Sequence, residues 1–145
     1  MTEIITPPKT YIKDTNTIKG KGVFASQDYT VGETIEIAPV VILLAAYPTL
    51  PPRLKTRVFN WGDLTQGPAA SALALGYGSL YNHANPANMK FIAHSKTETI
   101  SFIAIKPISK DDELTINYNG PDGNASSKQD DWFNRQGITL LEEPT

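Results

Sequence analysis

The chain has no cysteine among its 145 residues. That excludes disulfides, thiolate zinc sites, iron–sulfur clusters and cysteine nucleophiles, and it removes redox chemistry as a guide to compartment. Histidine is nearly as scarce. Only His83 and His94 occur, which argues against a histidine-built metal centre, and no metal is expected. Long apolar runs are missing too. The longest, Pro39–Ala46, falls far short of the roughly twenty residues that a membrane-spanning helix needs. The first ten residues carry no apolar core of signal-peptide type. The expectation is a soluble, cytoplasmic protein without a membrane partner, with nuclear or host-targeted placement left open. Excess positive charge is also absent. Lys and Arg number 13 against 15 Asp and Glu, a formal net charge of −2. General phosphate-backbone binding, and with it direct nucleic acid binding, is therefore not expected.

What is present is a globular composition, 40% hydrophobic and 19% charged, at a length that suits one domain. Eleven prolines and ten glycines interrupt the chain at short intervals, favouring short strands over long helices. Gly22–Ala25, Thr34–Ile37, Pro39–Leu44, Ala69–Tyr77, Thr99–Ile105 and Leu114–Tyr118 read as strands by alternation or β-branched content. Leu50–Trp61 reads as one short helix or a loop, Pro121–Ser127 as a loop, and Gln129–Gln136 as a short terminal helix. From Asp111 onward, acidic residues outnumber basic ones by eight to two. This is either a solvated acidic surface or a rim that concentrates a basic partner.

Four stretches have the residue types that chemistry requires. In Lys19-Gly-Lys-Gly-Val-Phe-Ala25, two glycines let backbone approach a ligand closely, though a tight hairpin turn explains them equally well. Neither a P-loop nor a Rossmann fingerprint fits, because a β-type stretch follows. Gly76–Asn88 is dense in hydrogen-bonding side chains. Its Asn82-His83 pair suits a purine edge or a structural hydrogen-bonding unit. In Asp111–Tyr118 an acidic turn leads into a strand whose alternation places Leu114, Ile116 and Tyr118 on one face, with the phenol inward and in need of a partner. Asp131-Trp-Phe133 either staples the tail to the core or covers a flat ligand.

Together and in order, these stretches resemble the SET domain of protein-lysine methyltransferases. The carriers are Gly20-Lys-Gly22, Asn82-His-Ala-Asn-Pro-Ala-Asn88 and Glu113-Leu-Thr-Ile-Asn-Tyr118. The resemblance covers about residues 10 to 135. It matches the short branch that lacks cysteine-rich zinc segments. Three positions depart from the family pattern. Pro86 falls one residue early, Ala84 replaces a serine, and Asn117 replaces an aspartate.

The resemblance implies a mainly β fold, a SET domain of the β-clip type. Small sheets and short helices would be joined by a knot-like C-terminal threading, in one domain over 1–145 with its core at about 10–120. It implies S-adenosyl-L-methionine (AdoMet) as cofactor, S-adenosyl-L-homocysteine as product, and a basic protein or peptide substrate presenting a lysine. Tyr118 would be the catalytic residue, orienting the amine and polarising the reacting centre rather than acting as a formal base. Gly20, Lys21, Gly22, Tyr77, Asn82, His83, Tyr118 and Trp132 would bind the cofactor, with Trp132 stacked on the adenine. Tyr77, Tyr81, Phe91 and Tyr118 would wall the lysine channel. Phe91 lacks a hydroxyl to restrain the amine and would leave room for more than one methyl. Self-association through Pro39–Ala46 would complete the channel as a homodimer, against the plainer reading of that run as a core strand. The three departures also motivate an alternative: a non-catalytic SET-like module that binds AdoMet or protein.

Overall fold

The structure, a computed structural model, describes residues 4–123. In chain order the strands are β1 (Thr10–Asp14), β2 (Lys21–Ala25), β3 (Thr34–Leu43), β4 (Val58–Asn60), β5 (Ser71–Ala74), β6 (Asn82–His83), β7 (Met89–His94), β8 (Thr99–Ala104) and β9 (Glu113–Ile116). A 3₁₀ turn (Tyr47–Thr49) and two short helices, α1 (Pro52–Lys55) and α2 (Trp61–Thr65), fill the connection between β3 and β5. The strands form two sheets, ordered β1-β2-β9-β6 and β4-β5-β3-β8-β7. The mainly β expectation holds, and each helix is at most five residues long.

Strand β3 unites the two runs read separately from the sequence. Its first half pairs with β8, through Ala38↔Ile100 and Pro39↔Thr99, and its second half with β5, from Val40↔Ala74 to Leu43↔Ser71. Proline has no N–H to give a ladder. Pro39 sits where the partner changes, so its missing donor falls at the junction rather than inside either pairing. Near the start of β3 the register slips between Thr34 and Glu36. Consecutive residues Ile35 and Glu36 are both buried as a result, at 5% and 3% exposure, which strict alternation forbids.

The core lies between the sheets and centres on Phe102, which is fully buried. Its ring packs against Tyr81 at 4.7 Å, Phe59 at 6.1 Å and Phe91 at 6.2 Å. Each such side chain stabilises the fold by ~2 kcal/mol through removal of apolar surface from water. On β9, alternation fails as a guide to faces. Thr115 and Asn117 are buried together with Leu114 and Ile116, because β9 is an inner strand with β2 on one edge and β6 on the other.

Two pairings position the site. Strand β6 runs parallel to β9, with Asn82 opposite Thr115 and His83 opposite Ile116. This lays the Asn-His pair alongside the strand that leads to Tyr118. Asn88 then anchors the intervening loop: its Nδ2 donates to the Glu113 carbonyl at 2.8 Å and its Oδ1 accepts from Thr115 N–H at 2.9 Å. Beyond β9 the chain passes back beside this loop, where Ala87 N–H donates to the Gly123 carbonyl and Phe91 N–H to that of Pro121.

The remaining sequence expectations shift at their ends. Ala69–Tyr77 shortens to β5 and Leu114–Tyr118 to β9, while Leu50–Trp61 holds α1, β4 and the first residue of α2. Strands β1, β4, β6 and β7 were not foreseen. The helix expected over Gln129–Gln136, and all but the start of the Pro121–Ser127 loop, lie outside the described residues.

Candidate active site

The site grows from the β1–β2 hairpin. Its loop closes on Gly20, whose carbonyl accepts from Thr15 N–H at 2.8 Å and Thr15 Oγ1 at 2.6 Å. Gly20 has φ +73°, a left-handed conformation that glycine adopts without penalty. Gly22 is glycine for a different reason. A Cβ there would lie 2.5 Å from Glu113 Oε2 and 3.1 Å from Asn82 Nδ2. Gly22 is buried, and the room a side chain would need is already taken by that carboxylate and carboxamide.

Asn82 is held in one orientation. Its Nδ2 donates to the Lys21 carbonyl at 3.1 Å and to Glu113 Oε2 at 2.8 Å, so the oxygen is the acceptor end of the amide. Lys21 therefore enters through its backbone, while Lys19 reaches across to the His83 carbonyl with Nζ at 3.0 Å. His83 Nδ1 accepts from Tyr118 N–H at 3.0 Å. An accepting Nδ1 carries no proton, which assigns the Nε2–H tautomer to the neutral ring.

Tyr118 joins this face to the cleft. Its ring lies 5.3 Å from that of His83, and its hydroxyl donates to the Tyr81 carbonyl at 2.6 Å. Burial pushes the phenol up to about 12, against a smaller lowering by the Arg57 charge. It is therefore a neutral hydroxyl at any ordinary working pH and cannot be a base there.

Tyr81, Phe91 and Tyr118 line a cleft of ≈ 870 Å³ together with residues of the β3–β5 connection, among them Tyr47, Arg57, Phe59 and Leu64. Tyr81 presents only part of itself to that space. It is 1% exposed, and its hydroxyl donates to Glu36 Oε1 at 2.6 Å. Tyr77 is not brought to the cleft; its backbone N–H donates to Glu36 Oε2 at 2.9 Å. Trp132 lies outside the described residues. Glu36, Arg57 and the role of Glu113 were missed by sequence reasoning. Only Glu113 had a visible signal, its place in the Glu-Leu stretch already singled out.

Comparison with known proteins agrees with this geometry. The family model described as "SET domain" matches residues 20–119. The Schizosaccharomyces pombe "Histone-lysine N-methyltransferase, H3 lysine-37 specific" is 31% identical over 114 residues, covering 74% of this chain and 71% of that protein. Among solved structures, a Plasmodium falciparum protein assigned as a histone methyltransferase superposes with a TM-score of 0.60 at 28% identity. That match covers 78% of this chain and 95% of the other. A humanized mutant of the Chaetomium thermophilum Polycomb Repressive Complex 2 shares the fold at 20% identity and a TM-score of 0.60, over 82% of this chain and 16% of that one. The resemblance carried by the glycine pair, the Asn-His segment and Tyr118 thus extends over most of the chain, which belongs to the SET domain family.

Proposed function

We propose that the chain is an AdoMet-dependent protein-lysine N-methyltransferase, with Tyr118 as its catalytic residue. One observation carries the reading most: the Tyr118 hydroxyl stands at the wall of the cleft with its proton donated to the Tyr81 carbonyl. A hydroxyl so engaged acts toward an incoming amine as an acceptor, and orients it.

The hairpin supports the cofactor assignment: at Gly22, which carries no side chain, the backbone runs directly beside Glu113 and Asn82. Gly20, Lys21 and Gly22 would contribute backbone groups. Asn82, turned by Glu113, would contribute its carboxamide oxygen, and His83 its Nε2–H. When bound, AdoMet supplies a methyl group on a sulfonium, open to in-line displacement by an amine. Tyr77 and Trp132, carried over from the resemblance, remain part of the proposed cofactor set.

The chain's own residues would prepare the nucleophile. A lysine ammonium in water loses its proton near 10.4. Entry into a cleft walled by Phe59, Tyr81, Phe91 and Tyr118 removes it from water, which disfavours the charged form. The neutral amine then hydrogen-bonds to Tyr118, and water takes the proton. Holding the amine in line supplies several kcal/mol of the barrier reduction.

The departure at Asn117 is absorbed without loss of its acceptor. Asn117 is fully buried, and its Oδ1 accepts from Asn119 N–H at 2.9 Å, so the acceptor that an aspartate would offer is retained. This weighs against the non-catalytic alternative. The test is incubation of the full chain with methyl-labelled AdoMet and a panel of lysine-bearing proteins, histone H3 first because the S. pombe relative is named for it. Label on lysine, lost in Tyr118→Phe, is expected. AdoMet binding with no label on any protein would favour the non-catalytic module, and no AdoMet binding would overturn the assignment.

A further inference from the structure

Among its described residues the cleft beside Tyr118 carries one charge of each sign. Of the residues that line it, two are charged, Arg57 and Asp63. They are not equivalent. Asp63 sits in the first turn of α2, where Asn60 Nδ2 donates to its Oδ2 at 2.9 Å and Asn60 Oδ1 accepts its N–H at 3.2 Å. Its carboxylate is therefore engaged locally, next to the positive end of backbone N–H groups. Arg57 is exposed, and its Nη1 donates to the Ser79 carbonyl at 3.2 Å. A guanidinium has five N–H donors, and among the described residues Arg57 forms no ion pair.

The Lys55 ammonium lies 5.8 Å from the centre of the Tyr47 ring, and Tyr47 is itself a cleft wall. At the Tyr118 phenol the Arg57 charge lowers the pKa and the Glu113 charge raises it, both less than burial does. The rest of the described lining is apolar or neutral, including Leu44, Ala45, Ala46, Phe59, Leu64 and Ala70.

Resting on the methyltransferase reading above, we infer that the cleft selects a lysine flanked by acidic and apolar residues, with Arg57 as the group that recognises the acidic neighbour. The overall acidic balance of the chain pointed to a basic partner. Arg57, exposed at the cleft and without an ion pair among the described residues, points the other way for a group that comes within a few ångströms of it. A carboxylate beside the target lysine pairs with Arg57, which offers a fork of donors that matches it. A flanking arginine or lysine instead meets a like charge. The same charge disfavours the ammonium form of the target lysine itself.

The test uses short fluorescent peptides with one central lysine between apolar residues and glutamate, glutamine or lysine as the neighbour. Binding to the full chain is read by anisotropy, and label transfer from methyl-labelled AdoMet is read separately. Expected is a preference for the glutamate peptide over the lysine peptide of roughly two- to fivefold, the range of a partly solvated ion pair. It should shrink as salt is raised. In Arg57→Glu the order should invert, while Arg57→Gln should abolish it. A cleft that was merely disrupted would weaken all three peptides alike. Equal binding of the three, or a preference for the lysine peptide in the wild type, would overturn the inference. Selective binding with no label transfer to any peptide would leave the charge preference standing and remove its role as substrate selection, because the methyltransferase reading itself would have failed.

Discussion

The Tyr118 hydroxyl donates to the backbone carbonyl of Tyr81 at 2.6 Å. The residue just before β6 thereby fixes the phenol through its carbonyl, and the next residue, Asn82, donates to the Lys21 carbonyl and to Glu113 beside Gly22. Tyr118→Phe keeps the ring and removes that bond. The expected result is a fall in the single-turnover rate of about 10²- to 10³-fold, the usual consequence of losing one preorganised group at a reacting centre. Peptide and AdoMet affinity should change little. Stability should drop by about 1–2 kcal/mol, because a carbonyl is left without its donor. Rapid-quench label transfer and urea melts measure the two effects.

Alkaline pH tests the buried phenols. Tyr118 is raised to about 12 and Tyr81 well above the ordinary value, in both cases chiefly by burial. A group whose folded value is raised binds its proton more tightly in the native state. Its stabilisation is full below the unfolded value near 10 and is lost as pH rises through the folded one. Stability should therefore hold up to about pH 10 and fall steeply above it. Tyr118→Phe should flatten part of that fall. Urea melts across pH, read with tyrosinate absorbance, give the measurement.

Glu36 and Tyr81 should behave as a unit. The Glu36 carboxylate is 3% exposed, and burial raises it above the usual carboxylate range despite bonds from the Tyr81 hydroxyl and Tyr77 N–H. Glu36→Gln substitutes an NH₂ for one of two acceptors and should cost about 1–3 kcal/mol. Tyr81→Phe should cost a comparable amount, and the double variant less than their sum. Additive losses would show that the two groups act independently. Label transfer should fall along with stability, since Tyr81 also supplies the carbonyl that holds Tyr118.

The two glycines of the hairpin should separate binding from folding. Gly22→Ala places a methyl 2.5 Å from Glu113 Oε2 and displaces the carboxylate that orients Asn82. AdoMet affinity should fall at least tenfold with a modest change in melting temperature. Gly20→Ala meets no neighbour within 4 Å but must adopt φ +73°. It should cost about 1 kcal/mol of stability through backbone strain alone. Calorimetric titration with AdoMet alongside thermal melts distinguishes the pair.

The candidate motifs could be singled out in the sequence because each is a short run of neighbours. The glycine pair, Asn82-His83 and Tyr118 were recognisable by order and spacing, and β6–β9 pairing brings the last three together as those motifs imply. Tyr77 was read as a channel wall for its aromatic face; its backbone N–H donates to Glu36, and the residues lining the cleft beside Tyr118 do not include it. Short strands such as β4 and β6, of three and two residues, carry too little pattern to be seen before their partners are known.

By itself the sequence determined the β-rich character, the absence of thiol chemistry and the motifs proposed to bear the reaction, because composition, periodicity and motif spacing are properties of neighbours along the chain. Tertiary structure alone decided the environment of each charge. The register slip in β3 turned Glu36 inward where alternation put it outside. The path of the β3–β5 connection brought Arg57 to the same cleft as Tyr118, 61 positions later by their numbers. Burial, desolvation and Coulomb interaction act through space, so which carboxylate is buried and which cation faces the cleft follow from packing between distant segments.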